Sequence, residues 1–96
     1  MLSMLTRESF SPYLNQKFQI EADGAAVEAE LLEIKESGTA AAGRRQPFSL
    51  TFRAAGNTVF PQRIYTVRHN DLGSLDIFLV PVGVDPAGVL YQAVFT

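Results

Sequence analysis

Ninety-six residues, 47% of them apolar, with seven Phe, three Tyr and no cysteine, describe one domain (1–96) with enough apolar mass for its own core. They exclude disulfides, thiol catalysis and sulfur-ligated zinc. Net charge is only −2, no apolar run approaches the roughly 18–20 residues that span a bilayer, and MLSMLTRESF lacks the parts of a signal peptide, so a soluble cytoplasmic protein with no membrane partner is expected.

Residues 1–16 carry helix signals. Thr6 suits a cap, Glu8 suits the positive end of a helix, and Phe10 and Leu14 fall at i, i+4 on one face. Ser11-Pro12 makes a good cap and first position but a poor helix interior. One short broken helix, or two successive turns, is therefore expected between Thr6 and Gln16. Too short to persist alone, it must dock on something apolar.

From Lys17 the apolar period switches from 3.6 to 2, and residues 17–96 form an antiparallel β-domain. KFQIEA (17–22), a turn at Asp23-Gly24 and VEAELLEIKES (27–37) make a hairpin. Val27, Ala29 and Leu31 share one phase while Leu32 and Ile34 share the other, so a bulge or a bend near Leu31-Leu32 is required. GTAAAGRRQ (38–46) is a loop without an apolar anchor. PFSLTFRAA (47–55) alternates cleanly, and FPQRIYTVRH (60–69) follows with Pro61 at its start, where a missing donor does least harm. LDIFLVPVGV (75–84) and VLYQAVFT (89–96) complete six strands. Six strands in about 80 residues roll up to avoid open edges, which predicts a mainly β fold: a six-stranded antiparallel meander forming a small barrel or rolled sheet, with a short N-terminal helix.

Charge is segregated along the chain. Residues 21–36 hold Glu21, Asp23, Glu28, Glu30, Glu33 and Glu36 against Lys35, and residues 37–70 hold Arg44, Arg45, Arg53, Arg63 and Arg68 with no acid. Arginines interleaved with Phe48, Phe52 and Tyr65 are one signature of an oligonucleotide surface. Six nearby acids offset five arginines, so an acidic strand pairing with basic neighbours is the stronger reading, and no nucleic acid is expected as a partner.

The chain has a single histidine, His69, two residues before Asp71. Catalysis by a lone imidazole needs a nucleophile or acid and an orienting group, and a metal site needs three or four ligands. Asn70, Asp71 and Gly73 are instead what a tight turn requires. No Walker, dinucleotide, G-x-S-x-G or H-E-x-x-H pattern is present. The sequence therefore assigns no catalytic residue, no metal ligand and no cofactor, and an enzyme is not expected.

Two strands carry apolar residues on both faces. Leu75, Ile77 and Leu79 oppose Phe78, Val80 and Val82, and Val89, Tyr91, Ala93 and Phe95 oppose Leu90 and Val94. One face fills the core and the other needs a cover. The expected cover is the N-terminal helix, through Phe10, Tyr13 and Leu14. The alternative is an interface with another protein or a second copy, a homodimer, made by Phe78, Val80, Val82, Leu90 and Val94. The two can share the surface.

Leu5–Phe10 (L-T-x-E-x-F), Pro61–Tyr65 (P-Q-x-I-Y), His69–Leu75 (H-x-x-L-G-x-L), Phe78–Gly83 (F-L-V-P-V-G) and Tyr91–Phe95 (Y-x-A-V-F) resemble a family of small bacterial proteins of unknown function. That resemblance spans nearly the whole chain, rests on strands and turns, and brings no catalytic residue. It implies an accessory role beside phage tail-collar-like proteins. The reading that follows is a non-enzymatic structural or protein-interaction module. A barrel holding a small ligand among Phe48, Phe52, Tyr65, Tyr91 and Phe95, with Arg53 or Arg68 at its mouth, is the alternative, and an oligonucleotide-binding barrel is the third.

Overall fold

The computed structural model describes residues 5–22, 24–36 and 46–95. The predicted turn residue Asp23 and most of the predicted 38–46 loop, with Arg44 and Arg45, lie outside the described residues.

The chain enters through one turn of helix, α1 (Arg7–Phe10), and a 3-10 turn (Ser11–Tyr13), the two successive turns that the capping and proline signals imply. Ser9 N–H donates to Thr6 O at 2.9 Å and Thr6 N–H donates to Ser9 Oγ at 3.0 Å, which locks the entry. Asn15, at φ +68, then reverses the chain in a conformation that asparagine tolerates better than most residues. Its N–H donates to Leu31 O at 2.7 Å, and Leu31 N–H donates to Gln16 O at 3.0 Å.

Six antiparallel strands follow: β1 (Lys17–Ala22), β2 (Ala25–Glu36), β3 (Phe48–Ala54), β4 (Arg63–His69), β5 (Gly73–Asp85) and β6 (Gly88–Phe95). They close into a barrel in the order β1-β2-β3-β6-β5-β4. The strands and their direction match the sequence reading, and of its two alternatives, a barrel or a rolled sheet, the chain forms the closed barrel, but the connectivity is not a plain meander. β3 pairs with β6, and β4 returns to pair with β1. Two three-stranded meanders are thus joined by residues 55–62, which cross one mouth because β3 and β4 stand on opposite sides of the ring. Side-chain alternation dictates which residues face inward and is indifferent to which strand stands alongside.

The inward rows make a filled core. Phe18, Ile20, Leu31, Leu50, Phe52, Val67 and Leu79 are all at most 4% exposed, each contributing roughly 1.5–3 kcal/mol of burial. The conflicting phases of β2 are reconciled by a bulge: the register steps from Leu31↔Phe52 to Glu33↔Thr51, so Leu31 and Ile34 both pack on the core. A second bulge, between Pro81 and Gly83, shifts the phase of β5 so that Gly83 stands opposite Leu90 on the outer face and Val84 opposite Val89 on the inner one. β5 also changes partner along its length, pairing with β4 from Gly73 to Leu79 and with β6 from Val80 to Asp85.

Both ends of the barrel are stoppered by a phenylalanine. Phe10 is fully buried, its ring centroid 6.1 Å from Phe48 and 5.7 Å from Phe95. At the other end Phe60, on the crossing segment, packs against the core. Two buried tyrosines hold that segment down: Phe60 N–H donates to Tyr91 Oη at 3.0 Å, and Tyr65 Oη–H donates to Pro61 O at 2.6 Å.

This corrects the expected role of the N-terminal helix. It plugs an end of the barrel and does not lie over the outer face of β5 and β6. The helix stops after one turn, so Leu14 leaves the Phe10 face and is 41% exposed. A four-residue helix offers one large buried side chain, which fills a mouth but cannot blanket a sheet.

Candidate interaction surface

The imidazole of His69 is occupied by the turn that follows it. Its Nδ1 accepts the N–H of Asp71 at 3.0 Å, so the ring proton sits on Nε2, which donates to Gln16 Oε1 at 2.8 Å. The ring packs between Tyr13 and Phe18, with centroids 4.4 and 4.7 Å away. It is the backbone of Asp71 that meets the histidine, and Gly73, at φ +77, closes the turn in a conformation open chiefly to glycine. Both ring nitrogens are engaged in holding β4, the turn and the N-terminal segment together. Among the described residues no three His, Asp or Glu side chains gather to hold a metal.

The segregated charges pair across the ladder. Arg68 meets Glu21 at 2.8 Å, Arg53 meets Asp85 at 3.5 Å and Glu30 at 3.7 Å, and Lys17 meets Glu28 at 3.5 Å. An open groove beside His69, lined by Lys17, Gln19, Arg68 and Ser74, therefore presents cations that already have carboxylate partners. Phe48, Phe52 and Tyr65 point inward and are at most 3% exposed, so they offer bases no stacking platform.

The interior aromatics are packed on one another: Phe48 and Phe95 stack at 4.6 Å, and Phe18 meets Phe52 edge-on at 5.3 Å. The cavity between Ile20, Val27, Phe60, Tyr65 and Tyr91 measures about 10 Å³, room for no more than one water.

The outer face of β4, β5 and β6 is different. Phe78 is 51% exposed, Val82 53%, Val94 60% and Ile64 65%, while Val80 and Leu90 are partly exposed between them. Ile64 stands directly across the ladder from Phe78. Val80 pairs with Gln92, where the β5–β6 ladder begins, and Val94 lies on the same outward row of β6 two residues further along. All five residues that the sequence singles out thus share one surface. Ile64 extends it; the sequence reading missed it because it looks like an isolated apolar residue. Val84 does not: its pairing with buried Val89 sets it on the other face of the sheet, at the rim of the barrel.

Among the described residues no helix is long and apolar enough to cross a membrane. No curated protein and no solved structure matches the chain. Residues 5–95 match one family model, and the chain belongs to that family, described as Domain of unknown function (DUF6916).

Proposed function

We propose that the protein is a non-enzymatic interaction module that docks another protein surface through the outer face of β4–β5–β6. One observation carries this reading: four large apolar side chains from three adjacent strands, Ile64, Phe78, Val82 and Val94, stand more than half exposed on a chain whose core is otherwise complete. Contiguous apolar patches of this kind mark interaction sites. The filled interior favours this reading over a ligand-binding barrel, and the inward-facing aromatics and the carboxylate-paired Arg53 and Arg68 favour it over an oligonucleotide-binding one. The module works in the cytoplasm on this reading, and the tail-collar-like setting that the resemblance implies would make its partner a subunit of a larger assembly. A photo-reactive phenylalanine analogue at position 78 tests the proposal. It should give a covalent protein adduct in the source cells, while the same analogue at Glu33, on β2 across the ring from β5, gives none. No adduct from position 78 refutes it.

A further inference from the structure

Building on the interaction reading above, we infer that the occupant of this face is a second copy of the chain, related by a two-fold axis that passes Val80. An isologous interface is self-complementary: where residue i of one copy meets residue j of the other, j of the first meets i of the second. With the axis at Val80 and perpendicular to β5, Phe78 of one copy lies over Val82 of the other, since each is two residues from the axis. Leu90, held beside Val82 by the Gly83↔Leu90 pairing, then stands next to the other copy's Phe78. Val80 meets itself. The bulky end of the patch is thereby laid on its smaller end, which is the fit a rotated copy of the same surface supplies.

Charge and area agree with this occupant. None of Ile64, Phe78, Val80, Val82, Leu90 and Val94 ionises, and Gln92 between them is neutral, so no like charges are driven together at the axis. A partner bearing acids or bases would have to strip them of water against this face. The exposed fractions amount to on the order of 500 Å² of apolar surface, at the upper end for the largest patch of a monomer. One side of a standard interface buries about 800 Å², of which about 65% is apolar in homodimers. The patch therefore supplies the apolar share of one side, and Thr66, Asp76 and Gln92 stand at hand for the polar remainder.

Sedimentation velocity over a concentration series reaching the hundred-micromolar range tests the inference. The unaltered chain should show a reversible monomer–dimer equilibrium. Phe78→Asp, and independently Val82→Asp, should raise the dimer dissociation constant by about 30-fold or more with the circular dichroism spectrum unchanged, because both side chains are more than half exposed. Gln19→Glu on β1 should leave the equilibrium as it was. A chain that stays monomeric throughout, or a dimer indifferent to both aspartates, overturns the inference. If a monomeric chain still yields an adduct with a different polypeptide from position 78, self-association fails and the interaction reading stands. If it yields no adduct, both fail.

Discussion

Replacing Gly88 with alanine probes how tightly this barrel is closed. Gly88 opens β6 and is itself buried. A Cβ there would sit 2.1 Å from the carbonyl oxygen of Ala54 and 3.0 Å from its carbonyl carbon. Those atoms are backbone, fixed by the pairing of β3 with β6 that sets Ala54 against Val89, so no rotamer change relieves the contact and the strands must part by nearly an ångström. Overpacking typically costs 1–3 kcal/mol, and a clash with paired backbone belongs at the upper end, about 3 kcal/mol. In a domain of this length 1 kcal/mol moves the melting temperature by roughly 4–8 °C, so Gly88→Ala should melt about 12–24 °C below the parent. Gly73→Ala is the control: its φ of +77 is unfavourable for alanine, but a Cβ there meets nothing within 4 Å, and the expected cost is about 1 kcal/mol. Thermal melts followed by circular dichroism decide the matter. A Gly88→Ala protein that melts no lower than Gly73→Ala would refute the claim that β3 and β6 meet too closely for a methyl group.

Two further substitutions test the end plug and the turn. Phe10→Ala removes a fully buried ring that contacts Phe48 and Phe95 and should cost about 3–5 kcal/mol; urea titration should show a lower midpoint with an unchanged slope, and a loss below about 1 kcal/mol would mean that the N-terminal segment is not part of the core. His69→Ala removes the acceptor for Asp71 N–H and the donor to Gln16 and should cost about 1–2 kcal/mol while the barrel persists; a melt identical to the parent's would show that the ring does not organise the turn.

The period-two alternation of Phe48, Leu50, Phe52 and Ala54, and of Val89, Tyr91, Ala93 and Phe95, was sufficient to place six strands and choose their inward rows, because alternation is a property of the local chain. The same holds for the turn after His69, where Asn70, Asp71 and Gly73 act on their own neighbours, and for the bulge at Leu31-Leu32, since two apolar phases in one strand cannot both be satisfied without it. The exposed surface was half legible: Phe78, Val80, Val82, Leu90 and Val94 stand out as apolar residues in excess of one core.

What needed the fold was everything that depends on which distant segments become neighbours. Whether β3 pairs with β4 or with β6 leaves each strand's inward row the same, so nothing in the pattern chooses between them. The packing of the whole ring chooses, and it carries residues 55–62 across the mouth beneath the hydroxyls of Tyr65 and Tyr91. The ring likewise directs Phe10 into an end of the barrel, leaving the outer face of β5 uncovered, and brings Ile64 beside Phe78. Gly88 looks like any turn glycine in the sequence. Only the approach of Ala54, 34 residues away, makes a side chain there impossible, because steric exclusion acts between atoms that meet in space while propensity acts along the chain.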